Sequence, residues 1–317
     1  MVARTRYAPD RGLTARMTAT MFLLGLVFVV FVAAIVFILG AVHASGGIIV
    51  LAAVVLGGGM AIGSLFYSDK IALSTAGAVE VTPQQAPELH GVVDRICALA
   101  DMSKPRIAIS PTDMPNAFAT GRNSEHAVLC VTQGLLRRLD REELEGVISH
   151  EMSHVAHKDV MVMTIASFLA IIAGLLIRFS FYGELFGGGG RRNSNDQNSG
   201  LILLAIMAVS IVVYAVSFLL IRLLSRYREL AADRSGALLT GQPSALASAL
   251  QKVSGTIARI PTKDLREAQP LNAFFFVPAL SARDGGTAIA NLFSTHPPLE
   301  KRLEQLAKIS KQLGQQQ

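Results

Sequence analysis

Polar and apolar positions sort the chain into two regimes. Residues 17–42, 48–68, 160–177 and 201–221 contain no Asp, Glu, Lys or Arg. Each run is about 18 residues or longer, the length that carries an α-helix across the hydrocarbon core of a bilayer. The first two are separated by residues 43–47 alone, which predicts a tight helical hairpin. Gly59 and Gly63 within the second run have the spacing that lets membrane helices approach closely, or they pair by chance. The third and fourth runs are joined by residues 178–200, rich in Gly and Asn without apolar periodicity, which predicts a flexible external loop.

The remainder reads as an ordinary polar–apolar mixture. Residues 106–110 and 127–132 predict short strands, and residues 116–121 alternate and end in Gly, as an edge strand or a strand and turn does. Residues 135–139 look helical. Asp140 with Glu143 three positions on predicts a capped helix start. Leu144, Val147, Ile148 and Val155 continue at helical spacing, as one helix running into the third span. The tail beyond Leu224 is helical in pattern, with breaks near residues 241–243, near Pro278 and near residues 285–286. The expected organisation is an N-terminal arm and membrane hairpin (1–68), a polar segment (69–159), a second membrane hairpin (160–223) and a second polar segment (224–317).

Composition sharpens this picture. Charged residues make up 16% of the 317, against about 25% in soluble domains, and mean hydropathy is +0.45. The net charge of +6 does not point to nucleic acid, because basic residues cluster at the ends of apolar runs. Arg4, Arg6, Arg11 and Arg16 precede the first run; it is too long for a signal-peptide core and a second span follows at once, so a retained anchor is expected. The same arginines place the N-terminus in the cytoplasm, and an even number of crossings returns the C-terminus there, with Arg222, Arg226, Arg228 and Arg234 in support. Cys97 and Cys130 stand in no ligand-like spacing and read as small buried hydrophobes.

The chemistry lies in His150-Glu151-Met-Ser-His154. Two histidines four apart on a helix leave the same face one turn apart, as two nitrogen ligands of one Zn²⁺ would. Glu151 projects beside them as the general base for a metal-activated water. His157, at about 10 Å of helical rise from His150, cannot close on the same ion along a continuous helix. Glu229 and Asp233, also four apart, offer a carboxylate ligand and a second carboxylate to orient a histidine. His154 lies six residues before the third span and Glu229 eight after the fourth, so a hairpin of those spans brings them level.

With Met114-Pro-Asn-Ala-Phe-Ala-Thr-Gly121, Gly134-Leu-Leu and Ser294-Thr-His-Pro-Pro-Leu-Glu-Lys-Arg302, this ordered set resembles the HtpX-type membrane-bound zinc metalloprotease family over nearly the whole chain. The resemblance implies an α+β, mainly helical, polytopic membrane protein. It would have four transmembrane helices and a cytoplasmic gluzincin-like catalytic domain with a small β-sheet. It implies one zinc per chain, with His150 and His154 as ligands, Glu151 as the catalytic carboxylate, and Glu229 as the third ligand with Asp233 as its supporting partner. It also implies endoproteolysis of membrane or misfolded proteins at the cytoplasmic face of a bacterial inner membrane, as quality control under stress. His157 departs from relatives, which often carry Asn there.

Two features stay open. Asn116, Ala117, Phe118 and Ala119 form either an exposed edge that receives a substrate backbone or a strand buried in the sheet. His296 either donates a hydrogen bond to a developing oxyanion or opens the last helix beside Pro297 and Pro298, and Arg302 is a partner for an acidic residue. His43, His90 and His126 read as surface residues. A CaaX-prenyl-type processing protease shares the metal motif but usually has more spans. A transporter lacks support without an intramembrane charge, and a non-catalytic zinc scaffold would not need Glu151.

Overall fold

The computed structural model describes residues 11–41, 47–187, 196–259 and 296–314. Arg4, Arg6, His43, the centre of the Gly- and Asn-rich loop and the expected breaks near Pro278 and residues 285–286 lie outside the described residues. In chain order the elements are α1 (Arg11–Ala41), α2 (Gly47–Thr75), β1 (Val79–Glu80), α3 (Pro87–Ala100), β2 (Arg106–Ser110), β3 (Ala117–Thr120) and β4 (Val128–Thr132). They continue with α4 (Gln133–Leu136), α5 (Arg141–Ala156), α6 (Asp159–Gly187), α7 (Asp196–Thr240), α8 (Pro243–Arg259) and α9 (Leu299–Gly314). The chain divides into two compact units. One holds Arg16–Ser64 and Val162–Leu224; the other holds Met1–Ala15, Leu65–Met161 and Ser225–Gln317.

The first unit is apolar. Four helices among the described residues are long and apolar enough to cross a membrane. All outrun the charge-free stretches, because absence of charge marks what a bilayer tolerates and not where helical hydrogen bonding ends. α6 runs to Gly187 and α7 starts at Asp196, so both helices extend into the segment expected to be a loop. Phe22, Val29, Phe37, Leu51, Ile62 and Val212 are exposed, a surface suited to lipid. Phe31, Ile35, Leu169, Ile172, Leu176 and Ile206 form the inner seam. The close helix approach is not at Gly59 and Gly63, where an added Cβ would meet nothing within 4 Å. It is at Gly57, where a Cβ would stand 3.1 Å from Ile172, one turn beyond the fully buried Ala53.

The second unit is built on a four-stranded sheet of order β1-β2-β4-β3, with β2 and β4 parallel and both outer pairs antiparallel. β4 is buried along its whole length, as expected of a strand covered on both faces. On one face lie Val93 and Ile96 of α3 and Val147, Ile148 and Met152 of α5, joined by Leu246 and Leu250 of α8 and Leu306 of α9. On the other, Ala72 and Leu73 near the end of α2 pack on Phe118 and Cys130. Cys97 and Cys130 are free and buried, and burial pushes their thiols up to about 11 and about 12. His126 is exposed, but His90 is buried, with Nε2 3.0 Å from the Val81 carbonyl; its place on the inner face of amphipathic α3 overrides its polarity.

α5 opens as its sequence predicts. Asp140 accepts from the Glu143 N–H and Glu143 accepts from the Asp140 N–H, a reciprocal cap. α5 does not run into α6. It ends at Ala156 with His157 as its cap, Lys158 turns left-handed at φ 56°, and α6 begins at Asp159. Neither Gly nor Pro marks this break, so tertiary contacts impose a backbone that local sequence disfavours. Replacing Asp140 by Ala removes the cap and is expected to cost about 1 kcal/mol. Denaturant unfolding of the detergent-solubilised chain checks this, with exposed Glu142→Ala as a control that shifts stability by less than about 0.5 kcal/mol.

Candidate metal centre

Helical spacing on α5 and α7 assembles the site. His150 and His154 leave one face of α5, and their Nε2 atoms stand 3.2 Å apart. Glu229 on α7 faces both, with Oε1 3.5 Å from His154 Nε2 and Oε2 3.6 Å from His150 Nε2. These three residues offer ligand atoms that all lie within 4.8 Å of one another. His157 is outside the group.

Close contact between α5 and α7 makes this possible. A Cβ added to Gly236 would lie 3.0 Å from the His150 backbone N, and the Ser149 hydroxyl donates to the Gly236 carbonyl at 3.1 Å. Gly236 sits seven residues after Glu229, on the same helix face. One turn earlier on α5, Gly146 lies against Leu246 of α8, with 3.1 Å to its Cα from an added Cβ.

Each histidine is held from behind by a carboxylate. His150 Nδ1 is 3.0 Å from Asp233 Oδ1, and Asp233 takes a two-pronged contact from buried Arg302, at 2.7 Å from Nε and 2.6 Å from Nη2. His154 Nδ1 is 2.6 Å from Asp159 Oδ2, and Arg228 pairs with Asp159. With both Nδ1 atoms facing carboxylates, both Nε2 atoms turn toward each other and toward Glu229, the placement that two nitrogen ligands of one ion require. Tetrahedral zinc separates two imidazole ligands by about 3.3 Å. The donor set and its spacing therefore fit such an ion.

Burial and charge compete throughout the cluster. Burial alone would lower His150, but hydrogen bonds with Asp233 and Glu229 push it up to about 9. For His154 burial wins and the imidazole is held below its usual range. Burial would raise Glu229, yet His296, His150 and His154 hold it well below the carboxylate range. Burial raises Glu151.

Glu151 faces the sheet. Its Oε2 accepts from the Ala119 N–H at 3.1 Å. β3 is the edge of the sheet beyond β4, and Asn116 bonds to Thr132 through its backbone. Antiparallel alternation then turns the N–H and C=O of Ala117 and Ala119 away from β4. β3 is thus an edge in hydrogen bonding, while the side chains of Asn116, Ala117, Phe118 and Thr120 are buried and Ala119 is half-buried. His296 is also buried and sets Nδ1 3.1 Å from Glu229 Oε2.

The expected residues therefore meet at one place. Sequence spacing missed Asp159 and Arg228. Asp159 is hidden by the unmarked helix break, and Arg228 sits in a run of arginines that reads as a charged membrane flank. Only 4% of Arg228 is exposed.

Residues 83–310 match peptidase family M48. "Protease HtpX homolog 1" of Streptomyces coelicolor is 57% identical over 98% of this chain and 97% of its own length. "Protease HtpX homolog" of Moorella thermoacetica is 50% identical over 98% of both chains. "Protease HtpX homolog 2" of Methanosarcina mazei is 46% identical over 98% of this chain and 100% of its own.

Gly236→Ala is expected to push α7 off α5 and weaken zinc binding about tenfold or more, read by competition with a chromogenic chelator. Gly255→Ala, whose methyl would meet nothing within 4 Å, leaves zinc binding unchanged.

Proposed function

The chain belongs to peptidase family M48, a multi-pass membrane metalloprotease in its relatives' mould, and we propose that it is a zinc-dependent endopeptidase. The observation that carries this reading is the convergence of three ligand atoms, a buried carboxylate and the outer strand of the described sheet at one point.

His150, His154 and Glu229 would hold one zinc per chain. When bound, zinc supplies a Lewis acid that polarises the scissile carbonyl and acidifies the attacking water. Glu151 takes the proton of that water and later passes it to the leaving amine. The outward N–H and C=O groups of Ala117 and Ala119 pair with an extended substrate backbone, the Ala119 N–H once Glu151 releases it for the attacking water. His296, adjacent to Glu229, donates a hydrogen bond to the oxyanion as it forms. Asp233, held by Arg302, keeps His150 in its ligand tautomer.

The substrates in this reading are membrane or misfolded proteins, cleaved at the cytoplasmic face of the cell's inner membrane in quality control under stress. Both termini are cytoplasmic, from the arginines before the first span and after the fourth.

Cleavage of casein and self-cleavage by the detergent-purified chain with zinc test the reading. Glu151→Gln is expected to retain the metal and lose at least about a hundredfold in rate. A chelator abolishes activity, and zinc restores it. A wild type that binds zinc and cleaves nothing defeats the endopeptidase reading. His296→Ala lowers kcat by about 10²–10³ with zinc retained if it serves the oxyanion.

A further inference from the structure

His154 is the more exposed of the two histidines, with 16% of its side chain accessible against 1% for His150. Its orientation therefore depends less on packing and more on what holds its outer nitrogen. That group is Asp159, at 2.6 Å from Nδ1 and five residues further along the chain. On a continuous α-helix a residue five positions on lies about 140° around the axis, aimed away from the histidine. The break between α5 and α6 removes this obstacle. His157 caps α5, Lys158 takes φ 56°, and the chain re-enters a helix at Asp159 with its carboxylate on the imidazole.

Asp159 is itself anchored. Arg228, one residue before Glu229 on α7, pairs with its other oxygen and reaches the His157 carbonyl at 3.5 Å. Asp159 and Arg228 are both buried. The arrangement repeats what Asp233 and Arg302 do for His150, using different elements: a carboxylate on Nδ1 with a buried guanidinium behind it. Asp159 is not a ligand, because it faces Nδ1 while the two Nε2 atoms face each other.

We propose that Asp159, backed by Arg228 and delivered by the helix break at Lys158, is the positioning residue that aims His154 Nε2 at the metal. This rests on His150, His154 and Glu229 being the ligand set. The carboxylate fixes the tautomer with its proton on Nδ1 and makes the opposite nitrogen a stronger donor. The competing account is structural: a carboxylate in the first turn of α6 also interacts favourably with the helix dipole.

The two accounts separate on the full chain in detergent, using zinc affinity, the visible spectrum of the Co²⁺-substituted protein and thermal unfolding of the metal-free form. Asp159→Ala is expected to weaken zinc affinity about 10- to 100-fold and to alter the Co²⁺ bands. Asp159→Asn keeps an acceptor for Nδ1–H without the charge. It should recover most of that loss, remaining a few-fold weaker than wild type. Zinc affinity within twofold of wild type and an unchanged Co²⁺ spectrum in Asp159→Ala overturn the proposal, even if unfolding shifts to lower temperature. If Asp159→Ala does not fold, wild-type affinity and spectrum in Asp159→Asn overturn it equally. A wild type that binds neither ion defeats the ligand assignment itself, a result distinct from the others.

Discussion

Arg302 and Asp233 form a buried pair with 2% and 0% of their side chains accessible, and the catalytic end of the molecule is organised around it. Removing two charges from water costs several kcal/mol each unless geometry and further hydrogen bonds offset it. Here Asp233 uses one oxygen for both the guanidinium and His150, and Arg302 also stands 3.7 Å from Glu229. Each buried charge thereby has a partner that is itself engaged. Losing one member leaves the rest uncompensated, so the cluster is stable only as a whole. Its members come from α5, α7 and α9, and the pair holds α9 to the other two.

Within that frame α5 is the fixed body. Its core side, Val147, Ile148 and Met152, is buried beside the sheet and α3, and Gly236 of α7 and its own Gly146 let α7 and α8 approach its backbone. A site on packed helices holds its ligands to tighter tolerances than one on loops. β3 supplies the other half, a line of backbone groups whose direction the ladder with β4 fixes. In the proposed reading the two act together, a rigid electrophilic centre and a straight edge that lays a peptide across it.

Much of this was legible in the sequence because it rests on short-range periodicity. The capped start of α5, the i, i+4 histidines, the Glu229–Asp233 pair, the apolar spans and the edge strand all follow from spacing within one element. What escaped depends on three-dimensional context. The α5–α6 break carries no Gly or Pro, and on an unbroken helix Asp159 would face away from His154. Arg228 could not be told from the arginines around it, and the burial of His90 depends on which face of α3 meets the core. In the apolar unit the glycine that matters is Gly57, because Ala53 one turn earlier sets the contact face, not the more conspicuous pair at 59 and 63.

The Arg302–Asp233 pair also has a consequence in time. Asp233 precedes its arginine by 69 residues. At about 5–20 residues per second, synthesis of that interval takes roughly 3–14 s. Through those seconds the nascent chain already carries both histidines, Glu151 and Glu229, yet His150 lacks its braced carboxylate and Glu229 lacks His296. A centre whose bracing waits on residue 302 is completed only when the last described helix joins it, so its assembly falls at the end of synthesis rather than along the way.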